Sequence, residues 1–243
     1  MKHVILYGLI YRVIHARIYY GWFSMLDFFD VGYNSLDGLR SDDLFSLRKS
    51  VFKDRLNWMV SCNEGMESDK YDSHQTVYLL GKASGHLICG VRFIETKYPN
   101  MITDVFNKYF NKIEIPSGNF IEASRLFIDK NRSETIRGKG FPISATLFLS
   151  MVNYARHYRY DGIYAIVSHS MYIIFKRSGW PVSIVERGVS EKNENIYLIF
   201  MPVDEGSQKV LTSLVKNSIG GCRYSLNQWP LSFFVREKRS DDL

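Results

Sequence analysis

Two apolar, β-rich runs near the middle of the chain constrain its fold more than any other feature. They occupy residues 77–80 and 87–94, and the short connection between them contains Lys82 and Gly85. A glycine at that point supplies the positive φ angle that a tight hairpin needs. We therefore predict two neighbouring antiparallel strands in this part of the chain.

Strand patterns and helix patterns alternate through the remainder of the sequence. Strand patterns cover residues 26–31, 120–128, 163–167, 182–185 and 196–200, and helical patterns cover residues 35–54, 142–152 and 171–176. Helices placed among antiparallel strands must cover both faces of one sheet. The predicted fold class is α/β, a three-layer α/β/α sandwich with a mixed, mostly antiparallel sheet.

The length and the hydrophobic content are those of one folded unit. The chain has 243 residues, of which 46% are hydrophobic, and this is enough to bury a substantial core. Residues 25–243 are predicted to form a single domain.

Residues 1–24 are predicted to be a basic, aromatic extension that need not belong to that domain, with Lys2, Arg12 and Arg17 but no acidic residue. Its apolar run is shorter than the roughly 20 residues of a membrane span, so stable membrane insertion is not expected.

Net charge and cysteine content indicate the kinds of partner and the compartment, but they do not identify a reaction. A formal charge of +6 and a pI of about 9.1 favour encounter with nucleic acid, an anionic membrane or an acidic protein. No recognisable nucleic-acid-binding motif accompanies that charge, so no nucleic-acid partner is predicted. The three cysteines are far apart, which indicates a reducing, cytoplasmic setting and no metal site.

A series of uncommon residues identifies a family resemblance. The series consists of Arg48, Phe52, Trp58, Gly65-Met66-Glu67-Ser68-Asp69-Lys70-Tyr71-Asp72, Arg92-Phe93, Glu122-Ala123-Ser124-Arg125-Leu126-Phe127 and Arg177-Ser178-Gly179-Trp180. In order and spacing it resembles the acyl-homoserine lactone synthases, the autoinducer synthase family of bacterial quorum sensing, from about residue 25 to residue 202. Several rare residue types at matched spacing are more specific than a lone glycine motif.

The resemblance implies a fold, an activity and a site. The fold would be similar to that of coenzyme A-dependent N-acetyltransferases. The activity would join the amine of S-adenosylmethionine to an acyl chain from acyl carrier protein and then close the lactone, releasing methylthioadenosine without a metal or other cofactor. The implied catalytic residues are Asp69, Asp72, Glu122 and Arg125, and the implied S-adenosylmethionine-binding residues are Arg48, Phe52, Trp58, Asp69, Asp72 and Arg92.

The chemistry of these substrates explains why such residue types are useful together. Carboxylates such as Asp69 and Asp72 suit the positive centres of S-adenosylmethionine, and a guanidinium suits its carboxylate. Phe52 and Trp58 are candidates for cation–π contact with the sulfonium, although Trp58 is equally suited to line the acyl pocket. Glu122 is the candidate general base for the α-amine, directly or through one water. Backbone amides on an irregular strand are candidates for stabilising the oxyanion.

The resemblance also implies a pocket for the acyl chain. The matching positions are Ser124, Phe148, Met151, Ala165, Val167, Ser168, Met171 and Met201. Family members that prefer 3-oxo chains often carry threonine at the position of Ala165, where a hydroxyl can bond the additional carbonyl. Ser124 offers another hydroxyl, so unsubstituted and 3-oxo products both stay open, as does chain length.

A glycine-containing segment bears on how the acyl chain is delivered. Acetyltransferases usually carry Arg or Gln three residues before the first glycine of their pyrophosphate loop, whereas Thr135 precedes Gly138 here. This mismatch favours a protein-bound donor over coenzyme A. Acyl carrier protein is acidic, so a basic patch is expected to steer its binding. The residues predicted for that patch are Arg125, Lys130, Arg132, Arg137 and Lys139.

Each of these features also has an ordinary structural explanation. Asp69 and Asp72 are compatible with a solvated acidic loop, Glu122 with a paired structural carboxylate, and Met151 with a simple core residue.

Two alternative functions stay open. A coenzyme A-dependent N-acyltransferase of the same fold would not release methylthioadenosine, and a non-catalytic ligand- or nucleic-acid-binding module would bind DNA in a salt-dependent way without turnover.

Overall fold

One eight-stranded sheet forms the centre of the molecule in a computed structural model that describes residues 23–134, 141–219 and 225–236. Its strands are β1 (Phe23–Gly32), β4 (Thr76–Ala83), β5 (His86–Glu95), β6 (Phe120–Ile128), β7 (Gly162–Ser168), β8 (Ser183–Val189), β9 (Asn195–Met201) and β10 (Leu231–Arg236), and β2 (Cys62–Asn63) pairs with β3 (Met66–Glu67) in a separate small hairpin. The order is β10-β1-β4-β5-β6-β7-β9-β8, and only β6 and β7 are parallel neighbours. The predicted mixed, mostly antiparallel sheet is confirmed.

The hairpin predicted between residues 77–80 and 87–94 is β4–β5. Ala83 pairs with His86, and the two residues between them, Ser84 and Gly85, have φ angles of 48° and 85°. Positive φ at both central residues is the geometry of the two-residue turn that matches the twist of antiparallel strands. The strand from Leu26 is also present, and it begins earlier, at Phe23. Phe23 and Ser24 therefore belong to the sheet, whereas the rest of the extension, residues 1–22, lies outside the described residues.

Helices cover both faces of the sheet. They are α1 (Gly38–Lys49), α2 (Lys130–Glu134), α3 (Ile143–His157), α4 (His169–Arg177) and α5 (Glu205–Ser218), and α1 continues into a π-helical turn at Ser50–Arg55. The helix expected from residue 35 begins at Gly38 because the Asp37 carboxylate caps it, accepting the Arg40 amide at 2.8 Å. The helices predicted near residues 142–152 and 171–176 correspond to α3 and α4. Among the described residues, no helix is long and apolar enough to cross a membrane.

The main core lies between the sheet and helices α3 and α5. Leu147 and Leu211 from these helices pack with Ile199 of β9, and all three side chains are fully buried. A second, smaller core lies on the opposite face, where Leu44 of α1 packs with Leu80 of β4. The sheet is thus the middle layer of three, as predicted, and any site on one face is separated from the other by the sheet itself.

Two irregularities of β6 create a place for a site. Only Phe120–Glu122 of β6 pair with β7, so the two strands are not hydrogen-bonded to each other beyond that point, and the gap between their unpaired ends is called the cleft. On its other side, β6 advances from Phe127 to Ser124 while β5 advances from Gly90 to Arg92, so β6 contains one additional residue. Arg125 lies in this bulge with a φ angle of 54°, a left-handed conformation that is uncommon for a residue other than glycine.

Candidate active site

Three arginines from different elements converge on the face of the sheet that α1 covers. Arg48 comes from the end of α1, Arg92 from β5 and Arg125 from the bulge of β6. Arg48 and Arg92 are each only 1% exposed. Ile121 and Ala123 project into the main core, so the alternation of β6 directs Glu122 and Ser124 to the same face as the arginines.

Three carboxylates bind these guanidiniums. Glu67, at the end of β3, accepts Arg48 Nε at 2.6 Å and Arg125 Nε at 3.0 Å. Asp69 accepts Arg92 Nη1 at 2.6 Å and Arg125 Nη2 at 2.7 Å. Charge-assisted bonds of this length are the strong class of hydrogen bond. Together the six side chains form one ionic network, which links α1, β3, β5, β6 and the loop after β3.

Asp72 is the most completely bonded member of the network. Its Oδ1 accepts Arg48 Nη1 at 2.7 Å, the Tyr78 hydroxyl at 2.7 Å and Arg92 Nη1 at 3.1 Å, while its Oδ2 accepts Arg48 Nη2 at 3.1 Å and the Asp69 amide at 2.8 Å. Burial opposes ionisation of Asp72, but Arg48 and Arg92 lower its pKa to about 2. Its side chain is 2% exposed, against 16% for Asp69. Both oxygens of Asp72 are thus occupied by protein donors.

The charges within the network balance. Three guanidiniums face three carboxylates, and each arginine contacts two of the acids. Burial disfavours the charged form of both Arg48 and Arg92. Even so, Asp72 and Glu67 raise the pKa of Arg48, and Asp72 and Asp69 raise the pKa of Arg92. Because three positive and three negative charges balance, the network needs no counterion, and protein groups alone pair its charges.

Glu122 adds a fourth carboxyl group beside this balanced set. It is 1% exposed, and its Oε2 accepts the Ile102 amide at 2.8 Å. Its other oxygen, Oε1, is buried and has no hydrogen-bond partner among the described residues. Burial raises the pKa of Glu122 even though the Ile102 amide, Arg92, the Ser124 hydroxyl and the Met101 amide act in the opposite direction. This carboxyl group is therefore able to accept a proton or a cationic ligand.

The aromatic residues predicted for the site stack on each other. The ring centroids of Phe52 and Trp58 are 5.1 Å apart and the rings are inclined by 21°. Phe52 is buried, and the Arg125 guanidinium lies over its ring at 5.8 Å. Trp58 is 43% exposed and forms the outer layer. The two residues are thus joined to the ionic network, with Trp58 on the solvent side.

Most residues predicted for the acyl pocket lie on the opposite face of the sheet from the ionic network. The main core contains Phe148, Met151, Ala165, Val167 and Met201, and Met171 packs against it. Ser168 caps α4, its hydroxyl accepting the Met171 amide at 3.3 Å. Ser124 is the exception, since its hydroxyl accepts Arg92 Nε at 3.1 Å and so lies with the network. The sheet itself therefore lies between the two groups of residues.

The predicted basic patch needs correction at two positions. Arg125 is 10% exposed and engaged by Glu67 and Asp69, so it belongs to the buried network instead of the surface. Arg132 bonds Asp43 at 2.8 Å, which reduces its effect on an approaching anion. Lys130 is exposed. Arg137 and Lys139 lie outside the described residues.

Three residues of the site have no role predicted from the sequence: Glu67, Tyr78 and Met101. The sulfur of Met101 accepts Arg92 Nη2 at 3.0 Å and Arg125 Nη1 at 3.3 Å, an unusual environment for a thioether. A signal was available for Glu67, which stands in the same acidic run as Asp69 and Asp72. No pattern marked Tyr78 or Met101, because each reads as an ordinary apolar position. Within the described ranges, no group of three or more His, Cys, Asp or Glu side chains is placed to hold a metal ion.

Comparison with known proteins gives one consistent result. Residues 33–211 match the family model described as autoinducer synthase. The chain is 57% identical over 192 residues to the acyl-homoserine-lactone synthase of Serratia liquefaciens, with 79% of this chain and 96% of the relative covered. It is 53% identical over 207 residues to that of Pectobacterium carotovorum subsp. carotovorum, with 85% and 96% covered.

Solved structures agree at the level of the fold. The coenzyme A-dependent acyl-homoserine lactone synthase BjaI, solved with S-adenosylmethionine and isopentyl-coenzyme A, superimposes with a TM-score of 0.68 at 22% identity over 78% of this chain and 89% of its own. The synthase LasI superimposes with a TM-score of 0.66 at 20% identity, covering 78% and 95%.

Proposed function

Because this chain belongs to the autoinducer synthase family and is an acyl-homoserine-lactone synthase, we propose that it acylates the α-amine of S-adenosylmethionine with an acyl group carried as a thioester on acyl carrier protein. Lactone closure then releases methylthioadenosine. Both substrates belong to the cell interior, so the proposal places the enzyme in the cytoplasm.

One observation carries the catalytic part of the proposal: the unpartnered Oε1 of Glu122 lies in a buried site beside a balanced ionic network. The α-amine of S-adenosylmethionine must lose a proton before it attacks the thioester carbonyl. A general base works best when its pKa lies close to the working pH, and burial moves the pKa of Glu122 in that direction. Glu122 takes this proton, directly or through one water.

The two aspartates have different roles in this proposal. Asp72 acts as a positioning residue, because five donors from the protein already occupy its oxygens. Asp69 is the more exposed of the pair, and it contacts the substrate ammonium. Arg48, Arg92 and Arg125 hold the site in shape, and one of their bonds to a carboxylate is exchanged for the substrate carboxylate. Phe52 and Trp58 contact the sulfonium or line its pocket.

The acyl group is proposed to reach the amine through the cleft between β6 and β7. Beyond Glu122 the edge of β6 is not paired with β7, so its backbone amides there are free to bond a thioester arm and the oxyanion. The tail then enters the opposite face, where Phe148, Met151 and Ala165 lie. The carbon–sulfur bond of the thioester breaks, the amide bond forms, and the carrier leaves as a thiol.

Lactonisation needs no further group from outside. The carboxylate oxygen of the acylated intermediate attacks the γ-carbon, and the bond from that carbon to the sulfonium sulfur breaks. The electron pair stays on sulfur, so methylthioadenosine leaves as a neutral molecule. The protein contributes orientation, since an intramolecular attack of this kind depends on alignment of the reacting atoms.

The experiment compares donors with the purified full-length protein. S-adenosylmethionine is incubated with short- and medium-chain acyl groups on either acyl carrier protein or coenzyme A, and methylthioadenosine and lactone are measured. We expect both products in equal amounts, with the carrier protein as the preferred donor. Preference for coenzyme A would contradict the carrier part of the proposal, and acylation of another amine without methylthioadenosine would contradict the rest.

A further inference from the structure

An exposed segment crosses the open end of the cleft between β6 and β7. This segment, residues 53–59, is called the strap. Arg55 Nη1 donates to the carbonyl of Ile128, at the end of β6, at 3.3 Å. Lys192 Nζ, from the turn between β8 and β9, donates to the carbonyl of Asn57 at 3.3 Å. Since β6 and β7 separate toward this same end of the sheet, the strap spans the mouth of the cleft.

The conformation of the strap is set by how the π-helical turn ends. Asn57 has a φ angle of 51°, and the Trp58 amide folds back to donate to the Phe52 carbonyl at 2.8 Å. A left-handed residue followed by such a reversed hydrogen bond is a recurrent way of ending a helix, and a hydrophobic contact usually accompanies it. Here that contact is Trp58 on Phe52. The strap therefore has a defined conformation. Because the chain reverses direction at Asn57, the neighbouring apolar side chains are left exposed to solvent.

Those side chains form an apolar surface with a positive border. Leu56 is 43% exposed and Met59 is 82% exposed. On the strap itself, Lys53 and Arg55 are exposed, whereas its acidic residue, Asp54, is bonded by Lys49 Nζ at 2.9 Å. Lys192 is exposed as well, in a turn that also carries the exposed Glu191 and Glu194. A flexible methionine at such exposure is typical of surfaces that adapt to a protein partner. The positive border selects a partner with acidic residues around an apolar centre.

We propose that the strap is the surface on which the acyl carrier protein binds, with Met59 and Leu56 against an apolar part of an acidic helix and Lys53 beside its carboxylates. The inference rests on the proposed function, since it requires a protein-bound acyl donor. Position supports it as well as charge. A carrier that binds at the mouth of the cleft has only the length of its thioester arm to reach the bulge of β6.

The test separates binding of the carrier from binding of the small substrates. The double variant Lys53→Glu with Met59→Asp is compared with Lys209→Glu, a charge reversal at an exposed position of α5 on the other face of the sheet. Steady-state rates are measured with acyl carrier protein thioester, with the same acyl group on pantetheine, and with S-adenosylmethionine as the varied substrate. Direct affinity for the acylated carrier is measured by fluorescence anisotropy.

We expect the double variant to raise the KM for the carrier thioester about tenfold or more, because one rim charge is reversed and a central apolar contact is removed. The KM values for acyl-pantetheine and S-adenosylmethionine stay unchanged, and Lys209→Glu behaves as the unaltered protein. An unchanged KM for the carrier overturns the inference, and so does an equal rise for the small substrates. If the unaltered protein uses coenzyme A thioesters but no carrier thioester, the carrier part of the proposed function fails first, and the strap proposal fails with it.

Discussion

The hydroxyl of Tyr78 donates a 2.7 Å hydrogen bond to Oδ1 of Asp72 in the interior of the ionic network. Tyr78 is 1% exposed, so no water is available to replace this donor. Burial and the neighbouring Asp72 carboxylate raise the pKa of Tyr78, which keeps the hydroxyl protonated and donating at physiological pH. Tyr78 therefore fixes the orientation of the acid that both Arg48 and Arg92 contact.

Replacing Tyr78 with phenylalanine removes this donor and keeps the ring. We expect Tyr78→Phe to lower the free energy of unfolding by about 2 kcal/mol, because a buried carboxylate loses a charge-assisted hydrogen bond. The matched control is Tyr158→Phe, whose hydroxyl bonds Asp30 at 3.1 Å at the surface and whose loss should change stability by less than about 0.5 kcal/mol. Urea unfolding measures both. Equal effects would contradict a special role for Tyr78.

Asp72 should account for part of the acid sensitivity of the fold. Its pKa is lowered from 3.8 to about 2, so its contribution is present above pH 4 and is lost as the pH falls toward 2. A shift of that size corresponds to about 2 kcal/mol. Asp72→Asn should therefore be destabilised at pH 7 and lose less additional stability on acidification than the unaltered protein. Unfolding measured across this pH range checks the slope, and parallel curves would be the contrary result.

Glu122 is expected to show the opposite dependence. Its pKa is raised above 4.5, so its contribution is complete below that value and declines as the pH rises through the folded pKa. Glu122→Gln does not titrate, and its stability relative to the unaltered protein should increase from pH 4 to pH 8. Its kcat should fall by about a hundredfold or more if Glu122 is the general base. A variant that is equally active would remove Glu122 from that role.

Much of the fold could be predicted from the sequence because alternation and periodicity are local. The strand predicted over residues 120–128 matches β6, and the hairpin after Leu80 has the predicted turn. The bulge at Arg125 could not be foreseen, since Ser-Arg-Leu reads as a regular strand and the left-handed φ is imposed by pairing with β5. Strand β10 and helix α5 were also missed.

Whether the predicted residues form the site, and in which roles, stays a prediction, but the structure does bring them together. The eight residues implied by the resemblance do gather on one face of the sheet, from Arg48 to Arg125. Asp72 accepts five hydrogen bonds and Asp69 three, and this difference depends on donors 20 or 24 residues from Asp72, Arg92 and Arg48. Sequence spacing gives no information on contacts of this kind, so it could not assign different roles to Asp69 and Asp72.

Truncation of the extension should depend on where the cut is made. Removal of residues 1–22 is expected to leave lactone synthesis intact. Removal of residues 1–24 also deletes Ser24, which is buried and whose hydroxyl lies 2.5 Å from that of Ser84, and it shortens the pairing of β1 with β10. We expect the longer truncation to have the lower melting temperature. If the shorter one loses activity, the extension has a role of its own.

The proposed acyl pocket predicts which core substitution changes the length of the acyl chain. Met151 and Leu149 are both fully buried in α3 and belong to the same core, but only Met151 is proposed to line the pocket. Replacing either residue with alanine should lower the free energy of unfolding by about 3 kcal/mol through the cavity it leaves. Only Met151→Ala should shift the products toward longer acyl chains, because its cavity would extend the end of the pocket. Product lengths are compared by mass spectrometry with a mixture of donors, and a shift of the same size in Leu149→Ala would mean that general loosening of the core, and not Met151, sets the chain length.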